Sequence, residues 1–324
     1  METVSCPLCR SNEHRLLFKR RDYTHSVTDD EFHVVKCVKC GFVFVNPRPN
    51  IHEIHAYYTD EFYLSHLTAE QLLAETRVRN KAKCAMIGRF NPGRLLDIGC
   101  QKGEFLYEAQ RNGWQVNGIE FSDKPPNLFH LPIFYGSVEE APYPADYFDL
   151  VTMWAVLEHV HDPRSTLSYI RRVLKKQGRA FVLVPNFNSI PGRLMRHDDV
   201  PRHLVMFTPD TFKRMAEEEG FRVVRTVFSN DIFSGSCRGV LNFLYKMLRG
   251  ESLEEIVAQN RQPGRWSEFS NCVNGTLSNV MLKVDRFDIW LSQYLDHLVN
   301  KLGFGFIMTV EIAPHDSRPS TILD

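Results

Sequence analysis

The chain has 324 residues, 39 Lys+Arg against 39 Asp+Glu, and 43% hydrophobic residues, so its formal net charge is zero. That length exceeds one small domain and predicts an α/β domain with appendages, while the balanced charge excludes a chain-wide basic footprint for nucleic acid. No apolar run approaches the ~18 residues of a membrane span, the N-terminal Met-Glu-Thr-Val-Ser-Cys has no leader character, and the cysteine usage predicts metal binding in a reducing cytoplasm.

Residues 1–50 read as a zinc-ribbon module. Cys6-Pro7-Leu8-Cys9 and Cys37-Val38-Lys39-Cys40 lie 27 residues apart, and Gly41 suits a tight turn after the second pair. Four thiolates close a tetrahedral shell, so a zinc held by Cys6, Cys9, Cys37 and Cys40 is structural. It supplies folding free energy that this core-poor segment lacks; the alternative is free or redox-active thiols. Between the pairs the chain is polar. Phe32–Val35 and Phe42–Val45 read as strands, and Asn46-Pro47-Arg48-Pro49 ends the module. Residues 51–92 read as a helical linker with a stripe of Leu72, Leu73, Val78, Ala82, Ala85, Met86 and Phe90, broken at Asn91-Pro92-Gly93. The scattered cysteines Cys84, Cys100, Cys237 and Cys272 read as packing residues.

Residues 93–228 alternate strand and helix. Strands are predicted at Arg94–Ile98, Gln115–Glu120, Ile133–Tyr135, Tyr147–Trp154, Arg179–Val184 and Phe221–Phe228, with helices at Gly103–Asn112, Ser165–Leu174 and Pro209–Glu219. Such alternation implies a parallel sheet covered by helices on both faces. Residues 229–302 change to helices, Gly239–Leu248 and Asn274–Leu302, read as an insertion before the last strand of the core, 303–316, where Gly305–Ile312 is extended. A polar tail, 317–324, follows.

The first strand runs into Leu95-Leu96-Asp97-Ile98-Gly99-Cys100-Gln101-Lys102-Gly103, a strand–turn–helix of the nucleotide-binding kind. The dinucleotide fingerprint fails, because its second and third glycine positions hold Gln101 and Glu104. The spacing Asp-x-Gly-x-x-x-Gly instead resembles the class I S-adenosylmethionine-dependent methyltransferases, over residues 93–228 and again at 302–313. The usual middle glycine of that family is Gln101 here. Other matching segments follow in order: Glu120-Phe121, Gly136-Ser137-Val138-Glu139, Phe148-Asp149-Leu150-Val151, Trp154-Ala155-Val156-Leu157-Glu158-His159-Val160 and Pro201-Arg202-His203-Leu204.

The resemblance implies a Rossmann-like seven-stranded sheet and an S-adenosyl-L-methionine site at Asp97, Gly99, Cys100, Gln101, Gly103, Glu120, Phe121, Ser137, Val138 and Trp154. Glu120 would accept from the ribose hydroxyls, as an acid at this strand end does in the related dinucleotide fold. Ser137, where the family often has Asp, would face the adenine together with backbone groups at Val138. His159, just past the fourth strand, and His203, on the opposite lip, are the candidate bases; each has a structural alternative. Asp198 and Asp199 are candidates for the acceptor pocket. Arg164, Arg171, Arg172, Lys175 and Lys176 read as a solvated basic helix face. Phe243, Leu244, Met247 and Leu248, with Phe287, Trp290, Leu291, Tyr294 and Leu298, read as core or a homodimer surface, a lid for an apolar acceptor or a peripheral membrane contact being the minor alternatives.

The expected function is transfer of a methyl group to oxygen or carbon of a small molecule or glycan. The competing readings are an RNA methyltransferase that grips RNA with the ribbon and a non-catalytic binding module on the same fold.

Overall fold

The computed structural model describes residues 1–22, 25–59, 66–122, 125–189, 199–233, 246–251 and 276–315. The strands are β1 (His14–Arg21), β2 (Glu31–Cys37), β3 (Val43–Val45), β4 (Arg94–Ile98), β5 (Gln115–Glu120), β6 (Ile133–Tyr135), β7 (Phe148–Trp154), β8 (Leu174–Pro185), β9 (Val205–Met206), β10 (Phe221–Phe228) and β11 (Ile307–Pro314). The helices are α1 (Ala69–Ile87), α2 (Glu104–Arg111), α3 (Pro163–Val173), α4 (Pro209–Glu218) and α5 (Thr276–Lys301), with a 3-10 turn at Ile54–Tyr57.

Alternation of apolar side chains builds the main sheet. Successive strand residues face opposite ways, so Leu95, Leu150, Phe181 and Leu183 enter one core with α2. Their neighbours Leu96, Val151, Ala180, Val182 and Val184 enter another with α3 and α4. The order across the sheet is β10-β11-β8-β7-β4-β5-β6. The strands from β8 to β6 are parallel, and β11 runs antiparallel between β8 and β10. This is a seven-stranded sheet, as the resemblance implies, with β11 making it mixed. From β4 the chain steps outward to β5 and β6, then crosses to β7 on the other side. The crevice at that reversal, outside the carboxyl ends of β4 and β7, is where open α/β sheets bind ligands.

Local chemistry sets the helix starts. Thr68 caps α1 in a capping box with Gln71; Asp162 caps α3, and Thr208 caps α4, each of these two followed by Pro at the first helical position. The carboxylate of Glu311 on buried β11 meets Arg89, Arg179 and Arg225, so three strands and the segment after α1 share one ion cluster.

Several expectations change. The polar stretch between the cysteine pairs contains β1, paired antiparallel to β2. The strand predicted as Arg179–Val184 starts at Leu174, so Lys175 and Lys176 lie on β8 and not on a helix. The basic face is also partly paired, Arg164 with Glu218 and Glu219, and Lys175 with Asp149. The N-terminal sheet has order β1-β2-β3-β9, its fourth strand coming from residues 205–206 of the core segment. The buried face of α1 is Leu72, Thr76, Asn80, Lys83 and Ile87, while Val78 of the predicted stripe is 76% exposed. Of the predicted helix Gly239–Leu248, residues 239–245 lie outside the described residues, as do Asp198, Cys237, Cys272 and the tail at 317–324. Among the described residues no helix is long and apolar enough to cross a membrane.

Candidate active site

Gly99, with φ +74°, turns the chain at the end of β4; a Cβ there would collide with Val156 on the segment after β7. Gly103, with φ +83°, starts α2 in the left-handed region that favours glycine. Gln101 between them is also left-handed, φ +49°. Its backbone N–H donates to Glu120 Oε2 at 2.7 Å, and Ser122 N–H donates to Oε1 at 3.2 Å. Burial pushes the Glu120 carboxyl up to about 7, against the pull of these backbone donors.

A cavity of about 290 Å³ opens at this turn. Gly99, Gln101, Glu120, Phe121, Ser137 and Val138 line one side, and Val156, His159, His161 and Thr166 line another. Ile51, Ile54, His55 and Tyr58, from the segment that follows the cysteine module, complete the wall. The Ser137 hydroxyl and N–H both donate to Glu140 Oε2 at 3.0 Å.

Asp97, Cys100, Gly103, Trp154 and His203 are not among the residues that line this cavity. Asp97 points to the α1 face of the sheet, where Thr152 Oγ1 donates to it at 2.6 Å. Burial raises its carboxyl to about 7, with Lys83 and Thr152 pulling the other way. Lys83, buried on α1, has its ammonium 5.3 Å from the Phe105 ring and 5.5 Å from the Trp154 ring. Burial lowers its pKa, and Asp97 and Glu104 oppose that shift. Trp154 Nε1 and Glu104 Oε2 are buried there with no hydrogen-bond partner.

His159 is the pivot of the second wall. Its Nδ1 lies 3.1 Å from the Arg202 carbonyl and 3.0 Å from the Tyr58 hydroxyl. A carbonyl oxygen only accepts, so Nδ1 carries the proton and Nε2 the lone pair. Burial and the neighbouring His203 hold the imidazole neutral down to about pH 3. The two rings meet edge-on at 4.7 Å. Ligand atoms of Glu158, His159 and His203 all lie within 4.8 Å of one another. The Glu158 carboxyl is buried with both oxygens unpartnered, and burial pushes it up to about 8.

The four cysteine sulfurs also lie within 4.8 Å of one another, with Cys6–Cys40 and Cys9–Cys37 each at 3.5 Å. A tetrahedral zinc with Zn–S bonds of ~2.3 Å spaces its sulfurs by ~3.8 Å, so the cluster fits a structural zinc with little adjustment. Gly41 takes φ +76° in the turn after Cys40.

Lys83, Tyr58 and Arg202 escape the sequence reading. Polar Thr76, Asn80 and Lys83, spaced at four and three residues between Leu72 and Ile87, are the only sequence signal for Lys83. Tyr58 and Arg202 reach His159 from 101 and 43 positions away; Arg202 lies in the matching segment Pro201-Arg202-His203-Leu204, but nothing local in the sequence shows either contact.

A family model described as a methyltransferase domain matches residues 65–226. The ubiquinone biosynthesis O-methyltransferase of Aeromonas salmonicida is 31% identical over 150 residues, covering 40% of this chain and 63% of its own. That of Aromatoleum aromaticum is 34% identical over 105 residues, covering 29% and 45%. The chain therefore spans less than two thirds of the length of these curated relatives. Among solved structures, a SAM-dependent methyltransferase from Archaeoglobus fulgidus aligns with a TM-score of 0.45 at 18% identity, over 74% of this chain and 97% of that one.

Proposed function

The chain belongs to the class I S-adenosylmethionine-dependent methyltransferases, and from that premise we propose that it methylates a hydroxyl of a small molecule or glycan. When bound, S-adenosylmethionine supplies a methyl on a sulfonium, already a strong electrophile, so the protein's task is positioning and proton removal.

The residues present fit that cofactor. Each Glu120 oxygen accepts one backbone N–H and retains lone-pair capacity for ribose hydroxyls. Phe121, Ser137 and Val138 would border the adenine. Gly99 lets the turn approach the Val156 side chain, which a Cβ there would meet and which lines the cavity. Lys83 and the unpartnered donor Trp154 Nε1 are not part of that lining, and would balance the carboxylate of the methionine end where it passes beyond the cavity.

The observation that carries the reaction is the contact between His159 Nδ1 and the Arg202 carbonyl, on a residue that lines the cavity. With Nδ1–H held by that carbonyl, Nε2 would be a neutral acceptor. It would accept the hydrogen bond of an acceptor hydroxyl, orient its oxygen toward the methyl, and take the proton as the forming oxygen–methyl bond makes that oxygen strongly acidic, with His203 beside it. The curated relatives methylate oxygen in their printed names, which favours a hydroxyl over carbon. The ion pairs of Arg164 and Lys175 weaken the RNA reading, because those cations are already engaged.

The test is transfer of labelled methyl from S-adenosylmethionine to a panel of catechols, hexoses and total RNA, using zinc-loaded protein. Transfer to a hydroxylated small molecule supports the reading. Transfer to RNA alone overturns it, and so does failure of the folded, zinc-loaded protein to bind S-adenosylmethionine by calorimetry.

A further inference from the structure

We propose that the four-cysteine module is part of the catalytic apparatus: through Asp22 it clamps Arg202 and so fixes the loop that holds His159, making Asp22 and Arg202 positioning residues. This rests on the reading of His159 as the proton acceptor.

Arg202 is fully buried, with 0% side-chain exposure. A guanidinium removed from water must have its charge and its N–H fork satisfied. Asp22, on the N-terminal hairpin 180 positions away, grips it with both oxygens, at 2.7 and 3.1 Å. Asp199 takes a second side at 2.6 Å, and the Tyr57 carbonyl accepts at 3.1 Å. Asp22 is itself pinned, accepting from the backbone N–H groups of His25 and Val27 at 3.1 Å each. Burial works against its charge, but the Arg202 guanidinium more than offsets this and holds the carboxyl below its usual range.

The other end of Arg202 is the site. Its carbonyl oxygen accepts from His159 Nδ1, the contact that leaves Nε2 unprotonated. The next residues are held from both sides. Val45 of the module donates to the Leu204 carbonyl at 2.9 Å, and Leu204 and Val205 donate to the Glu158 carbonyl at 2.8 and 3.2 Å. β9 adds its ladder to β3 of the module. The linker supplies a third tie: Tyr57 contacts the guanidinium and its neighbour Tyr58 reaches His159.

Asp22, Tyr57 and Tyr58 all precede residue 65, where the matched methyltransferase domain begins. The clamp therefore joins side chains from outside the matched domain to Asp199 and Arg202 inside it. Without the Asp22 carboxylate, Asp199 still pairs the charge of Arg202, but the Nη1 and Nη2 hydrogens that Asp22 accepts lose that partner in a buried site, and the loop must move to satisfy them. Loosening Asp22 should accordingly be felt at His159, even though the two residues do not touch.

The experiment is NMR of full-length, zinc-loaded protein labelled with 15N at histidine, with His159 assigned by its loss in a His159→Gln variant. In the wild type His159 should show a protonated Nδ1 and a pyridine-type Nε2. In Asp22→Asn, with zinc content and S-adenosylhomocysteine binding unchanged, that pyridine-type Nε2 signal should lose intensity to the Nε2–H form, the commoner tautomer of an unheld imidazole. A role confined to module stability would change zinc content or melting temperature without touching this signal. If Asp22→Asn does not fold, Arg202→Lys serves, because an ammonium lacks the planar fork that makes paired bonds to both carboxylates. An unchanged His159 signal in whichever variant retains zinc overturns the proposal. The readout needs no acceptor, so its failure is distinct from failure of the methyltransferase reading.

Discussion

The backbone N–H of Gln101 points at the carboxylate of Glu120, 2.7 Å away, and so joins the turn after β4 to the end of β5. Gln101 is the position where the resemblance expects glycine, yet its side-chain identity does not disturb this contact, which the main chain makes. The cost is a left-handed backbone at a residue with a Cβ. The gain is a carboxylate held in place at the mouth of the cavity.

Glu120→Ala should weaken S-adenosylhomocysteine binding about tenfold or more, since hydrogen bonds to a charged group contribute ~1.5–3 kcal/mol. Burial raises this carboxyl to about 7, and two ribose hydroxyls donate best to its ionised form. Wild-type affinity should therefore increase as pH rises through about 7, and the increase should vanish in Glu120→Gln. Calorimetry at several pH values reads both effects, and a pH-independent wild-type affinity would count against the ribose role.

Lys83→Met should lower both cofactor binding and stability. The ammonium is buried beside Asp97 and Glu104, which favour its charged form against the cost of burial. An apolar side chain of similar length leaves the buried Asp97 carboxyl without its counter-charge, so resistance to urea should fall. Cofactor affinity should fall about tenfold, ~1.4 kcal/mol, if Lys83 faces the methionine carboxylate. Undiminished affinity in the folded variant would remove Lys83 from the cofactor site.

Glu158 should make stability depend on pH in an unusual direction. Burial raises its carboxyl from 4.5 to about 8, so between these values the native state keeps a proton that the unfolded state has released. Its contribution is fully present below about pH 4.5 and is lost as pH rises to about 8. The effect amounts to roughly a few kcal/mol at most. Melting curves of Glu158→Gln should lie closest to wild type in acid and above it near pH 8. Parallel curves would show that the carboxyl finds a partner when ionised.

Cys37→Ser should release the metal. Its sulfur is one of four within 4.8 Å, and three thiolates bind zinc far less tightly than a closed set of four. Metal analysis should fall from one equivalent to a small fraction, with loss of order in β1 and β2. Retention of a full equivalent would refute the four-cysteine assignment.

Much of this was legible along the chain. β4, β5, β6 and β10 begin and end where apolar alternation places them. The two cysteine pairs and Gly41 announce the metal cluster, because a chelate turn is a local object. Other features left a misleading trace. The predicted α1 stripe includes Val78, whereas the helix buries Thr76, Asn80 and Lys83: Thr76 and Asn80 satisfy their polar groups within the helix, and Lys83 lies near Asp97 and the Phe105 and Trp154 rings. The strand β1 reads as a loop since only Arg20 in it is buried, and as an edge strand it needs an apolar face only where β2 backs it.

The amino-acid order by itself determined the periods: two-residue alternation in the strands, glycine turns at Gly99 and Gly103, capped helix starts and paired cysteines. Each of these is settled by torsions and contacts among residues a few positions apart. Only the tertiary structure decided that Lys83 lies over Asp97, that β9 completes the sheet of the cysteine module, and that Asp22 reaches Arg202 behind His159. Those partners meet because two layers pack in one particular orientation, and a buried charge then requires whichever counter-charge that packing delivers.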